Sequence, residues 1–142
     1  MNETFWPWLA GFIDGEGCFM LHKSKNPRFK TGYQWIPRLV IASNSLQTLE
    51  YIRTQIQVGR IHEVHKSRHL GHYQIHFQSA QLRQILLPPM LPYFVTKHDE
   101  ATLLFKACDI LANRTRSSPL TEIALSNLCD AMKLTRERNL HV

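Results

Sequence analysis

The chain has few cysteines, no long uninterrupted apolar run and no acidic residue over one long stretch, and each shortage argues against a class of protein. Cys18, Cys108 and Cys129 are its three cysteines, far apart and with no C-x-x-C pair. That usage speaks against a zinc ribbon and a secreted disulfide scaffold, and suits a reducing compartment. The longest apolar stretch near the start, Phe5 to Ile13, is interrupted by Pro7, followed by Asp14 and Glu16, and lacks a small-residue cleavage site. It reads as neither a signal peptide nor a membrane span. No low-complexity tract or linker divides the 142 residues, so one domain over 1–142 is expected. With 44% hydrophobic residues, such a chain can bury a core without disulfide or metal staples.

Between Gly17 and Leu49 there is no Asp or Glu, while Lys23, Lys25, Arg28, Lys30 and Arg38 all stand there. Over the whole chain 17 Lys and Arg face 11 Asp and Glu, a net charge of +6. The balance favours a polyanionic partner such as nucleic acid, with this segment as its electrostatic footprint.

The periodicities give an element order. Trp6 to Asp14 reads as a short helix, with Pro7 in its first turn and Gly17 placed to end it. Cys18 to Lys25 and Tyr33 to Ser43 read as a strand pair joined through Asn26-Pro27 and Gly32. In the second run Leu39 and Ile41 share one face, and Gln34, Arg38 and Val40 the other. Leu46, Leu49, Ile52 and Ile56 recur at helical spacing behind Ser45 as N-cap, with Gly59 ending the helix. Arg60 to Lys66 and His72 to Gln78 predict a second hairpin, and Ala80 to Met90, Lys97 to Asn113 and Pro119 to Arg136 predict helices. The fold class is therefore α+β, with one antiparallel sheet of about four strands. His62, His65, His69, His72 and His76 would stack as ligands on a helix, but Gly59, Gly71 and the alternation after His72 argue that the segment is not helical, and so against a zinc site. Trp6, Trp8 and Phe12 are expected to anchor packing rather than to stack on bases.

The stretch Leu9-Ala10-Gly11-Phe12-Ile13-Asp14-Gly15-Glu16-Gly17 is costly for a plain helix. Gly11 and Gly15 each lose roughly 0.8–1.0 kcal/mol against Ala in a helix interior. Small residues one turn apart permit a second helix to approach closely, which can offset that loss. Asp14 and Glu16 sit at the negative end of the helix macrodipole, so a positive group is needed nearby. Two such helices side by side would bring their acidic ends together, and a hard divalent cation held by oxygen donors answers that repulsion.

This stretch resembles the LAGLIDADG motif of homing endonucleases: Leu9, Ala10, Gly11, Ile13, Asp14 and Gly17 match in residue type, and Phe12, Gly15 and Glu16 are common replacements. The element order is similar to that family's αββαββα core along essentially the whole chain. Leu91-Pro-Tyr-Phe-Val-Thr-Lys97 is similar to the segment that delivers its active-site lysine. The resemblance implies a homodimer, since the motif occurs once, with Trp8, Ala10, Gly11, Phe12, Asp14 and Gly15 at the interface. It implies Mg2+ held by Glu16 and the Gly15 carbonyl, with Mn2+ substituting and Ca2+ binding without cleavage, and two or three ions per dimer. Lys97 then polarises water or steadies the charged transition state. Ser43 or Asn44 stands where relatives often place a water-positioning Gln or Asn.

The implied substrate is a long pseudopalindromic duplex DNA, cut to staggered ends and read in the major groove by a β-ribbon. Met20, His22, Ser24, Asn26 and Arg28 are expected on the DNA face of the first strand, and Gln34, Ile36, Arg38 and Val40 on the second. Arg60, His62, Lys66, Gln74 and His76 extend the face into the second hairpin. Such an enzyme would work inside a cell, in a bacterial or archaeal cytoplasm or an organelle, without a membrane partner. A non-cleaving relative remains the alternative, either a maturase binding intron RNA or a DNA-binding regulator, as does a basic protein-interaction domain.

Overall fold

The computed structural model describes residues 2–64, 72–113 and 118–140. Helix α1 (Phe5–Glu16) runs without a loop into strand β1 (Gly17–Lys25), which turns back as β2 (Tyr33–Ser43). Helix α2 (Leu46–Ile56) then leads to the second hairpin, β3 (Arg60–Glu63) and β4 (Tyr73–Gln78). The sheet order is β1-β2-β4-β3, with every neighbouring pair antiparallel. The α+β class with a four-stranded antiparallel sheet and carboxyl-terminal helices is thus present as expected.

Alternation decides which face is covered. Phe19, Leu21, Trp35, Leu39, Ile41, Ile75 and Phe77 point to one side, where Leu9 and Ile13 of α1 and Leu49 and Ile52 of α2 meet them in the core. Each such side chain contributes about 1.5–3 kcal/mol by leaving water. The other face carries Cys18, Met20, His22 and Ser24 opposite Val40, Arg38, Ile36 and Gln34, then Gln74, His76 and Gln78, then Arg60 and His62. None of these described strand residues is acidic.

Several boundaries differ from the sequence expectation for identifiable reasons. Strand β1 stops at Lys25 as expected, because Asn26 and Pro27 turn the chain, and the two DNA-face residues expected beyond it are not on the strand. The Asn26 side-chain oxygen accepts from the Arg28 N–H at 3.1 Å, and its amide donates to Gln34 Oε1 at 3.2 Å. Asn26 and Arg28 therefore lie in a turn rather than along the strand. Helix α2 is ended by Gln57 in the left-handed region at φ 68°, not by Gly59. Gly59 has its own constraint: at φ 108°, a Cβ there would come within 2.6 Å of Phe77 Cε1.

The helix expected over Ala80 to Met90 is present as a continuous run that changes type, α3 (Ser79–Gln81), a π turn (Leu82–Leu86) and α4 (Leu87–Met90), and a 3-10 turn (Leu91–Tyr93) follows it. Pro88 and Pro89 lack the N–H that a regular ladder requires, and the widened turn before them lets both sit in a first turn. Helix α5 spans His98–Asn113, and α6 spans Pro119–Leu140, four residues past the expected end. Helix α6 is fastened to the sheet at three levels. The Trp35 indole donates to Glu122 Oε2 at 2.8 Å, Cys129 Sγ donates to the Leu21 carbonyl at 3.1 Å, and Arg136 donates to the Phe19 carbonyl. No described helix is long and apolar enough to cross a membrane.

Candidate functional site

The absence of a loop between α1 and β1 brings the acidic end of the helix to the end of the sheet. Gly17 makes the junction: its N–H closes onto the Ile13 carbonyl, and a Cβ would lie 2.6 Å from Ile13 Cγ2. Its backbone is extended, so close approach rather than conformation demands glycine. Glu16 is exposed at this corner, with Gly15 beside it. Because Gly17 pairs with Ile41, the end of β2 at Ser43 and Asn44 lies alongside the same junction. Ser43 Oγ accepts the Ser45 N–H at 3.0 Å and so shapes the turn into α2, while Asn44 is exposed.

Lys97 meets α1 from the other side. Its ammonium donates to the Asp14 carbonyl at 2.6 Å, which supplies the positive charge that the end of α1 calls for. The Asp14 carboxylate in turn accepts the backbone N–H groups of Val95, at 2.8 Å, and Lys97, at 2.9 Å. Lys97 also gives the first turn of α5 its carbonyl, accepting from the Ala101 N–H. An anion at the start of α5 and a cation at the end of α1 each suit the helix dipole they face.

The outward side of α1 is unusual. Trp8 is 40% exposed and stacks on Phe12 at 5.5 Å, with Tyr51 of α2 against its edge at 5.5 Å. A Cβ added to Gly11 or Gly15 would meet nothing within 4 Å, so neither glycine is required by a contact among the described residues. Two expected interface residues are otherwise engaged. Ala10 is 0% exposed inside the chain's own core, leaving no side chain to offer a second copy, and the Asp14 carboxylate is committed to Val95 and Lys97. The available face is Trp8, Gly11 and Gly15, flanked by the half-buried Phe12.

On the open face of the sheet, Met20, His22, Ser24, Gln34, Ile36, Arg38, Gln74, His76, Arg60 and His62 come together as the alternation predicts. Val40 shares that face but is only 8% exposed between Cys18 and His76, with little surface left for a ligand. Lys66 lies outside the described residues. A hollow at the β3–β4 side is lined by Arg38, Gly59, Arg60, His62, His76, Gln78 and Gln81. Within it the His62 and His76 rings meet edge-on at 4.8 Å, and His76 Nε2 lies 2.9 Å from Gln74 Oε1. Burial first, then the charges of His62, Arg38 and Arg60, hold the His76 pKa below its ordinary 6.5. Lys23 instead belongs to the covered side, its ammonium 4.3 Å from the Tyr33 ring centre and 5.6 Å from that of Trp35.

Reasoning from sequence missed Cys18 and Gln78, which the same alternation places on the open face. It also missed the hold of Asp14 on Lys97, for which no local pattern exists because the partners are 83 residues apart.

As a metal site, the corner offers the Glu16 carboxylate and the Gly15 carbonyl, both hard oxygen donors. That donor set fits Mg2+, which keeps several waters and uses one or two carboxylates together with substrate phosphates. No group of three or more His, Cys, Asp or Glu that could hold a metal occurs among the described residues. The described residues at this corner thus present the exposed Glu16 carboxylate and not a closed cage.

The family model described as LAGLIDADG endonuclease matches residues 9–108, more than half of the chain. The chain belongs to the LAGLIDADG homing endonuclease family. A search of curated proteins found no match. Among solved structures, the homing endonuclease I-CvuI, in complex with the I-CreI target in the presence of Mg and with its DNA not cleaved, matches with a TM-score of 0.79. Identity is 22%, over 92% of this chain and 80% of that one. I-SmaMI bound to uncleaveable DNA matches with a TM-score of 0.81 and 21% identity, over 92% of this chain but 45% of that chain. I-SmaMI bound to cleaved DNA gives 0.77 and 24%, over 90% and 42%. This chain thus spans less than half of I-SmaMI, and at these identities the likeness establishes the shared fold.

Proposed function

We propose that the chain works as a homodimer that cuts both strands of a long, pseudopalindromic DNA site with Mg2+, leaving staggered ends. The observation that carries this reading is the corner itself: an exposed Glu16 and the Lys97 ammonium stand at the end of a helix whose outward glycines are not required by any contact among the described residues. A twofold pairing of α1 across Gly11 and Gly15 supplies a partner for that face and sets two Glu16 carboxylates side by side. The match to I-SmaMI over less than half its length supports this reading, as one of two units in a longer chain would give such a match.

In the dimer, Glu16 and the Gly15 carbonyl of each copy would hold Mg2+. When bound, it would supply Lewis acidity to the scissile phosphate and lower the pKa of a coordinated water. Lys97, fixed at the same helix end, faces the negative charge that grows on the phosphoryl oxygens during attack. Ser43 and Asn44, at the end of β2, orient water at the edge of the corner. The acid-free face of the sheet follows the major groove, with Arg38 and Arg60 as guanine readers and the His, Gln and Ser side chains as adaptable donors and acceptors.

The test is incubation of the purified protein with a randomised duplex library, with Mg2+ and separately with Ca2+, and sequencing of bound and cut molecules. Cutting only with Mg2+, at sites with twofold-related halves, is the expected result. Bound but uncut duplexes would identify a regulator instead, and higher affinity for structured intron RNA would identify a maturase.

A further inference from the structure

We propose that Asp14 is the positioning residue of this site, holding Lys97 in place through the backbone of the segment that carries it. The inference rests on the nuclease reading for the purpose of Lys97, but the hold itself stands on geometry. Between the 3-10 turn and α5, Phe94 is buried with its ring edge-on to Phe19 at 5.6 Å. The next residue, Val95, is 85% exposed. Burial therefore fixes the segment at Phe94 and does little for the residues after it. What fixes Val95 and Lys97 is the Asp14 carboxylate, with one oxygen on each N–H, at 2.8 and 2.9 Å.

The contact is reciprocal, because Lys97 returns its ammonium to the Asp14 carbonyl at 2.6 Å. Backbone and side chain of Asp14 thus bind side chain and backbone of Lys97, leaving the ammonium one freedom fewer at each end. A charged acceptor on two N–H groups forms the stronger, shorter class of hydrogen bond. Helix α6 grips the segment from its far side: Asn139 donates to the Thr96 carbonyl at 3.2 Å, Arg138 to Asp99 at 2.9 Å and Arg136 to the buried Glu100 at 3.1 Å. Asp14 is the member of this set that joins the segment to the helix bearing Glu16, so the spacing of Glu16 and Lys97 is set through it.

An asparagine at position 14 carries no charge and, in the same rotamer, puts an NH2 donor where one carboxylate oxygen stood, so one of the two N–H groups loses its partner. Two measurements test the consequence. In amide hydrogen exchange, the Val95 and Lys97 N–H groups are expected to be protected in the wild type and to exchange rapidly in Asp14→Asn, with sheet amides unchanged. In single-turnover cleavage of a duplex recovered from the library, Asp14→Asn is expected to lose between about 10-fold and 100-fold in rate at saturating protein, with Ca2+-supported binding retained. The decisive comparison is the double variant: Asp14→Asn should cost nothing further once Lys97→Ala is present, whereas a merely structural role would make the two losses multiply. Should Asp14→Asn fail to fold, Asp14→Glu, which keeps the charge and displaces it by one methylene, carries the same comparison.

Unprotected Val95 and Lys97 amides in the wild type, unchanged cleavage in Asp14→Asn, or multiplying losses would each overturn the proposal. A wild type that cuts nothing would overturn the nuclease reading, and with it the purpose of Lys97. A wild type that cuts alongside an equally fast Asp14→Asn would overturn the role of Asp14 alone.

Discussion

Helices α1 and α2 are almost equal in length, 12 and 11 residues, yet they obey different rules. Helix α2 is locally self-consistent: Ser45 caps it through the Thr48 N–H, Leu49, Ile52 and Ile56 line its inner side, and Gln57 turns the chain out of it. Helix α1 buries Phe5, Leu9, Ala10 and Ile13 in the same way, but its N-cap Thr4 makes no side-chain cap bond. Its last turn also holds two carboxylates and no basic residue. Its outward side gives up helix propensity to glycines where an added Cβ would meet no described residue. Where an element does only packing, local rules and fold agree; where they part, the departures gather at the site.

The largest effect that could break this contrast is at Glu16. Glu16→Gln should reduce cleavage about a thousandfold or more, since several kcal/mol of transition-state stabilisation depend on its charge, while binding of duplex in Ca2+ persists. Lys97→Ala should lose about 10²–10³-fold in rate with affinity nearly kept. Measurable cutting by Glu16→Gln at the wild-type rate would reduce the corner to a turn. Next in size is Leu49→Ala on α2, which should remove about 2–5 kcal/mol of folding stability by denaturant titration. That loss should be the same at every protein concentration, because nothing about Leu49 involves a second copy.

The contrast also explains how much could be read from the chain. The Leu46-Leu49-Ile52-Ile56 spacing and the alternation through Tyr73, Ile75 and Phe77 are local signals, and the structure contains both elements. Glu16 and Lys97 were singled out through the motif and the segment ending at Lys97, and the Lys97 ammonium lies on the Asp14 carbonyl, two residues before Glu16. The use of Asp14 was not legible. As a carboxylate in a glycine-rich helix facing a second copy, it reads as an interface residue, and only tertiary contact reveals its partners at Val95 and Lys97. The helix expected over Ala80 to Met90 is present, but its change to a π turn over Leu82–Leu86 was not legible, because apolar spacing continues through Pro88 and Pro89 while the α-type ladder does not.

Smaller effects sharpen the comparison inside α1 and its junction. Gly17→Ala should destabilise the chain by about 1–3 kcal/mol, since the new methyl meets Ile13 Cγ2 at 2.6 Å and the Ile13 carbonyl at 2.9 Å. Gly11→Ala should do the reverse to an isolated chain, raising its stability by about 0.8–1 kcal/mol because the added Cβ meets nothing. In a dimer paired across α1 the same methyl would obstruct the partner helix. Sedimentation and thermal melting at low and high concentration together should therefore show a more stable monomer and a weaker dimer. A Gly11→Ala protein that gains stability and keeps its dimer would place the second copy elsewhere.

The smallest effect lies at His76 on the open face. Its folded pKa is held below 6.5, by burial first and then by His62, Arg38 and Arg60, so the unfolded chain takes up this proton more readily than the folded one. The associated stability is fully present above pH 6.5 and is lost as pH falls from there towards the depressed folded value. A bound polyanion acts in the opposite sense: its phosphates raise the pKa of His76, binding draws in a proton, and affinity should increase as pH falls through the same window. Wild-type protein should therefore melt at lower temperature but bind duplex more tightly at about pH 5.5 than at about pH 7.5. His76→Gln should flatten both trends. Should the binding trend persist unchanged in that variant, the charge responsible would belong to another group, and the hollow between β3 and β4 would not lie against the phosphates.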